Sequence, residues 1–154
     1  DDNFYFDEEK VDNYEIGGKF QTADGSFTLN AAAYITKVAN MQREVNQSSP
    51  TAGVSQFILN TADATINGVE AEARMRLSPS FMITANMGVI DADYDKILFD
   101  ISGDGLVSDA DVALKLPRVP DVTWGVGLIH ELDLGSSEIL TRINYQYRDE
   151  FAYT

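Results

Sequence analysis

The sequence predicts an all-β fold of six antiparallel strands in three hairpins. Three observations carry this. Apolar and polar residues alternate with a period of two in six separate runs, the pattern of strands with one face in apolar surroundings. Most runs reach about ten residues, whereas strands of globular proteins average about five or six and a tilted strand crosses a bilayer in about 9–11. The connections alternate between tight and long, which places short turns at one rim and long loops at the other, as in membrane-spanning barrels.

The first run, 14–22, sets Tyr14, Ile16 and Phe20 against Glu15, Lys19 and Gln21. Asp24-Gly25 follows, a strong two-residue hairpin signal. The second run, 26–38, places Phe27, Leu29, Ala31, Ala33 and Ile35 on one face. A polar stretch, roughly 40–62 and containing Ser48-Ser49-Pro50, is expected as a long loop. In the third run Val69, Ala71, Ala73, Met75 and Leu77 alternate with Glu70, Glu72, Arg74 and Arg76. Helix competes here, because Glu70/Arg74 and Glu72/Arg76 are i,i+4 pairs. Strand is preferred because the alternation is unbroken and Thr65, Ile66 and Val69 suit strands. Ser78-Pro79-Ser80 turns the chain into the fourth run, 81–90, with Phe81, Ile83, Ala85, Met87 and Val89 in phase. A second long loop is expected over 92–120. The fifth run, 122–132, aligns Trp124, Val126 and Leu128; a turn at Gly135-Ser136 leads to the sixth, about 138–150, with Ile139, Ile143, Tyr145 and Tyr147.

Composition removes several classes of function. Acids outnumber bases 25 to 11, a net charge of −14, which argues against nucleic acid as a partner. There is no cysteine, so neither a disulfide scaffold nor a cysteine–zinc site is possible. The single histidine, His130, rules out a His-rich metal centre. No uncharged apolar run is long enough for a membrane helix, but barrel strands do not need one. The chain opens at Asp1 with neither methionine nor signal peptide, as an excerpt or a mature product would.

Six strands cannot close a membrane barrel, since single-chain barrels begin at about eight, and open edges in lipid leave backbone groups unpaired. The chain is therefore part of a larger wall or an open soluble sheet. Strand length, rim asymmetry, the charged face (Glu70, Glu72, Arg74, Arg76, Arg142, Arg148) and the small residues of the apolar face favour the wall.

Five segments then carry a resemblance. Val11-Asp12-Asn13-Tyr14-Glu15-Ile16-Gly17-Gly18-Lys19 resembles the ENYEIGxK strand opening of TonB-dependent outer-membrane receptors. Leu29-Asn30-Ala31-Ala32-Ala33-Tyr34, with Asn40-Met41-Gln42, is similar to that family's LNAAxFY…xxMQ hairpin. Asn60 to Glu72 resembles NAGxAxIxGxExE; Leu116-Pro117-Arg118-Val119-Pro120 with Trp124 resembles LPxxPxxT; Tyr145 to Phe151 resembles YxYRDxFY. The segments keep the family's order over about residues 11–151. The resemblance implies six consecutive strands from the later part of a transmembrane barrel of about 22 strands. It also implies an outer-membrane location in a Gram-negative bacterium and contact with membrane lipid and lipopolysaccharide. The implied activity is energy-coupled uptake of a scarce small molecule or glycan (a ferric siderophore, cobalamin or a glycan), with no enzyme activity. The chain shows no plug domain, no energy-coupling box and no terminal aromatic strand, so coupling to the TonB complex would run through parts absent from it.

One motif bears on metal chemistry. Residues 100–111 fit a twelve-residue calcium loop of the EF-hand or dockerin type: Asp100, Ser102 and Asp104 at positions 1, 3 and 5, Gly105 at 6, the Leu106 carbonyl at 7, Val107 at 8 and Asp111 at 12. Alternate side chains of one tight turn converge on a hard cation, and glycine permits the bend. A short helix is expected from Asp109 through Lys115, ending before Pro117. The Glu70/Glu72 ladder is expected to line a wet face rather than to act as a catalytic pair. His130 lacks a nucleophile nearby, Asp91, Asp93 and Asp95 are expected at a solvated rim, and Trp124, Tyr145 and Tyr147 are candidates for an aromatic girdle. Two other accounts predict different behaviour: a soluble calcium-stabilised β-domain for cell-surface binding, which would fold without detergent, and a passive porin segment, whose parent chain would lack a plug.

Overall fold

The computed structural model describes residues 5–49 and 53–153. Its six strands form one antiparallel sheet in chain order: β1 (Lys10–Gln21), β2 (Phe27–Ser49), β3 (Gly53–Ser78), β4 (Phe81–Ile97), β5 (Val122–Asp133) and β6 (Glu138–Arg148), with one short helix, α1 (Asp109–Val112), between β4 and β5. Among the described residues each strand pairs only with its neighbours in sequence, and the sheet is not closed: β1 and β6 are its edges.

Local chemistry sets the turns. At Asp24-Gly25, Gly25 takes a φ of 67°, which glycine adopts without a Cβ clash. Asp24 Oδ1 accepts from Ser26 N–H at 3.1 Å and Ser26 Oγ–H at 2.9 Å. In the β3–β4 turn Ser80 N–H donates to Ser78 Oγ at 3.2 Å, and in the β5–β6 turn Gly135 N–H donates to Asp133 Oδ1 at 2.7 Å. These side chains satisfy donors that the ladder leaves free. All three tight turns lie at the same end of the sheet, as the sequence predicts.

The other end differs from expectation in one respect. The stretch 40–62 is not a loop. β2 runs on to Ser49 and β3 starts at Gly53, paired as far as Ser49↔Gly53. The 26 residues of β3 extend to ~86 Å at ~3.3 Å each. The run was illegible because apolar–polar alternation marks a strand only where one face is dry. Here a two-stranded ribbon stands beyond the apolar band, with its apolar residues, among them Phe57, Ile58 and Leu59, on both faces. Pro50 lies outside the described residues. The second long connection is a true loop but starts later, because β4 continues to Ile97, and α1 spans Asp109–Val112 rather than reaching Lys115.

That loop folds back over the sheet. Leu116 is buried against Ala62, Ala64, Tyr94 and Ile97, with Ile101 and Val119 packed at the margin. This small cluster is the buried apolar core of the described residues. Elsewhere most large apolar side chains of the strands are exposed, chiefly on one face.

Candidate functional site

The register turns the alternation of single strands into two continuous surfaces. On one face the pairings line up Ile16–Ala33–Val69–Val89–Val122, then Gly18–Ala31–Ala71–Met87–Trp124–Tyr147, then Phe20–Leu29–Ala73–Ala85–Val126–Tyr145. Ile16, Phe20, Val69, Val126 and Ile143 are exposed, so nothing among the described residues covers this face. On the other face the rows are polar: Lys19–Asn30–Glu72–Asn86–Gly125–Gln146, beside Gln21–Thr28–Arg74–Thr84–Gly127–Asn144.

The apolar band is not level with the pairing rows. On β1 it runs from Tyr14 to Phe20 and on β6 from Tyr147 to Ile139. Followed through the register, its centre slips toward the short turns by about one residue per strand. A step of ~3.3 Å along the strand for each ~4.8 Å across it is a tilt of ~35°. Val69 to Leu77 on β3, at that tilt, then covers ~22 Å of height. Outer-membrane barrels have strands tilted about 35–45° and an apolar band about 25 Å tall. Two quantities read from the side-chain pattern and the register therefore agree with a bilayer.

Small residues on the inner face have specific neighbours. A Cβ on Gly68 would lie 2.2 Å from Tyr34 Cζ, because the Tyr34 ring lies across that glycine from the adjacent strand. Gly127 is overlaid by Thr84 Oγ1 and Asn144 Oδ1, at 2.6 and 2.7 Å from where its Cβ would be. Glu70 and Glu72 line an inner hollow of about 550 Å³ together with Glu15, Lys19 and Asn30. This is the placement expected of a polar lining.

The remaining sequence candidates fall as follows. Trp124 lies against Tyr147 and Tyr145, ring centroids 5.7 and 5.4 Å away, at the long-loop edge of the band. His130 stacks on Phe81 at 4.3 Å, near the short-turn edge. Asp91, Asp93 and Asp95 continue the phase of the apolar face beyond the band, and Asp95 accepts from Thr65 Oγ–H at 2.6 Å.

Residues 100–111 form a tight loop organised by carboxylates. Asp100 accepts from Gly103 N–H (2.7 Å), Gly105 N–H (2.8 Å) and Ser102 Oγ–H (3.2 Å). Asp104 accepts from Leu106 N–H at 2.8 Å. Asp111 is fully buried and accepts from Ile101, Ser102 and Ser108 N–H at 2.9, 2.7 and 2.8 Å. Ser108 and Asp111 form the capping box of α1, each side chain bonding the other's backbone. These donors hold both carboxyls below the usual carboxylate range: Gly105 N–H foremost for Asp100, Ser108 N–H foremost for Asp111. Hydrogen bonds thus gather Asp100, Ser102 and Asp111; Asp104 bonds locally and Leu106 is exposed. Among the described residues no three acids or histidines converge as metal ligands.

The Leu116-Pro117-Arg118-Val119-Pro120 segment anchors the loop's exit. Leu116 is the buried residue, while Arg118, at φ 65°, donates its N–H to Ala152 O at 2.7 Å and sets its guanidinium over the Tyr153 ring at 5.3 Å. Sequence reasoning missed two features: the Tyr34–Gly68 contact, which depends on register, and a junction at Asn40, Asn60 and Asp63. The signal for the second was available, since asparagine is among the few non-glycine residues that take positive φ readily, as Asn40 does at 55°.

A six-stranded sheet with one continuous apolar face, one polar face, a ~35° slip of the band and two free edges is a sector of the wall of a large β-barrel. The chain belongs to the TonB-dependent receptor β-barrel family: the family described as "TonB dependent receptor-like, beta-barrel" matches residues 1–154. It is 36% identical over 86 residues to the pesticin receptor of Yersinia enterocolitica, covering 56% of this chain and 12% of that protein. The pesticin receptor of Yersinia pestis matches to the same extent. Among solved structures it is similar to the ferric yersiniabactin uptake receptor FyuA from Yersinia pestis, with a TM-score of 0.62 and 25% identity over 90% of this chain and 18% of that one. The chain thus spans between 12% and 18% of the length of these relatives.

Proposed function

We propose that this chain is the lipid-facing wall sector of an outer-membrane receptor in a Gram-negative bacterium, and that the longer protein takes up a scarce nutrient by TonB-coupled transport. The observation that carries the reading is the slanted apolar band, whose height and tilt match a bilayer. Its exposed residues contact membrane lipid, and the Asp91 edge lies level with lipopolysaccharide headgroups. The sheet's free edges pair with other strands of the same barrel. The TonB complex acts through segments outside this chain. A ferric siderophore is favoured over cobalamin or a glycan as substrate, because the similar solved structure is a ferric yersiniabactin uptake receptor. The test is iron uptake by a strain deleted for the complete gene, with and without a functional TonB complex. Loss of siderophore-dependent uptake in both backgrounds, restored by the gene only where TonB functions, is the expected result. Restoration without TonB would contradict it.

Calcium at residues 100–111 is a second proposal, supported by the ligand spacing of Asp100, Ser102, Asp104, Leu106 and Asp111. A cation there would compete with the three backbone donors for the Asp111 carboxylate. Limited proteolysis of the loop with calcium or chelator tests it. Calcium-dependent protection is expected, and identical cleavage under both conditions would overturn it.

A further inference from the structure

The β2–β3 ribbon leaves the wall at an irregular junction. Pairing of β1 with β2 stops at Lys10↔Ala39, and pairing of β3 with β4 stops at Ala62↔Ile97. Beyond those points the strand pairing of residues 42–49 and 53–60 is with each other, while at the base Thr61 O accepts from Leu98 N–H at 2.8 Å and the Arg43 guanidinium lies over the Tyr94 ring at 5.3 Å. At ~3.3 Å per residue the ribbon extends ~26 Å beyond those last pairs. Its base is where the ladder fails. The register shifts between Val38 and Met41 and again between Met41 and Gln42, and Asn40 takes the left-handed conformation. A two-stranded ribbon on a doubly bulged base depends on the contacts at that base for its angle, because bulges bend and twist the strand that carries them.

Side-chain amides brace that base. Segment 5–9 crosses it, and Asp7 N–H donates to Asn60 Oδ1 at 2.7 Å, while Asn60 Nδ2 donates back to Asp7 O at 3.0 Å. The same Asn60 Nδ2 donates to Asn40 O at 2.7 Å. Asn60 therefore engages the backbone of the crossing segment on both its donor and acceptor sides, as a strand partner would, while holding the bulge. Gln42 adds Nε2–H to Asp7 O at 3.0 Å, and its own N–H donates to Glu9 Oε2 at 2.8 Å. Asp63 Oδ1 accepts from Asn40 N–H at 2.8 Å, which satisfies a donor that the bulge turns out of the ladder.

We propose that Asn60 is a latch: it ties segment 5–9 to the base of the β2–β3 ribbon and sets the angle at which the ribbon stands off the long-loop rim. Releasing it leaves the wall intact and widens the range of angles open to residues 42–49 and 53–60. The latch does not depend on which nutrient the receptor carries.

The test uses the full-length receptor in bilayers, with spin labels at Gln56→Cys on the ribbon and Ser80→Cys in the β3–β4 turn. This chain has no cysteine of its own to interfere. Pulsed distance measurement gives one narrow distribution for the parent protein, and a broadened or displaced one for Asn60→Ala. Asp7→Pro removes the N–H that Asn60 accepts without altering any strand residue, so barrel assembly is not at stake; it has the same effect. Amide protection over 41–46 and 54–60 falls roughly tenfold in both variants, the worth of about one net hydrogen bond. An unchanged narrow distribution in Asn60→Ala overturns the proposal. So does broadening in Asn60→Ala with none in Asp7→Pro, which would leave the crossing segment outside the latch.

Discussion

Gly68 has no room for a side chain. The phenol of Tyr34 occupies the space its Cβ would take, 2.2 Å away, and both residues sit on strands whose register fixes them opposite each other. Gly68→Ala therefore has to displace an aromatic ring, and overpacking of that kind costs about 1–3 kcal/mol. Unfolding of the full receptor in denaturant should show this loss, and adding Tyr34→Ala should recover most of it. Asp111 is the corresponding point in the loop. Its carboxyl is held low, chiefly by the Ser108 N–H and then by Ser102, so it contributes stability above the unfolded value of about 3.9 and loses it as pH falls through the folded one. Protease cleavage between 98 and 121 should be unchanged from pH 7 to about pH 5 and rise below about pH 4. Asp111→Asn should raise it at pH 7, because an amide presents an N–H₂ donor where the backbone already donates.

The elements separate by what holds them. The strands of the wall are fixed by ladder hydrogen bonds and register, the 98–121 loop internally by the hydrogen bonds of Asp100 and Asp111 and against the sheet by the buried Leu116. Leu116→Ala removes the side chain that packs on Ala62, Ala64, Tyr94 and Ile97, a loss of about 2–5 kcal/mol at a filled site. Because the loop opens without disturbing the sheet, hydrogen exchange should show lost protection over the loop and none over β3 or β5. How legible each element was follows the same division. The apolar phases of all six strands, and the three tight turns, were readable because one dry face imposes alternation and Asp24-Gly25, Ser78-Pro79-Ser80 and Gly135-Ser136 carry turn chemistry. The outer halves of β2 and β3 were not, because water on both faces removes the constraint that writes the pattern. The 100–111 loop was legible as a tight turn. Its spacing did not disclose that Asp111 would be buried and used to cap a helix.

At the scale of the whole molecule, the chain's features have one consistent explanation. An exposed apolar face would make an isolated sheet of this kind aggregate, yet here it is continuous, bounded and slanted. Charges stay on the opposite face or beyond the band's edges. The slant itself was present in the sequence, since the apolar stretch of each strand is visible there, but it needed the register to become an angle. The account stands on the claim that this slanted face meets lipid while the face carrying Glu70, Glu72, Arg74 and Arg76 meets water. The most direct test is a nitroxide scan of positions 67–77 on β3 in the full-length receptor in bilayers, comparing accessibility to oxygen with accessibility to a water-soluble nickel complex. The prediction is a strict alternation from Val69 to Leu77, odd positions favouring oxygen and even positions nickel, with the preference lost at Asn67. Uniform access to nickel along the strand, or oxygen-favouring signals at the even positions, would contradict it.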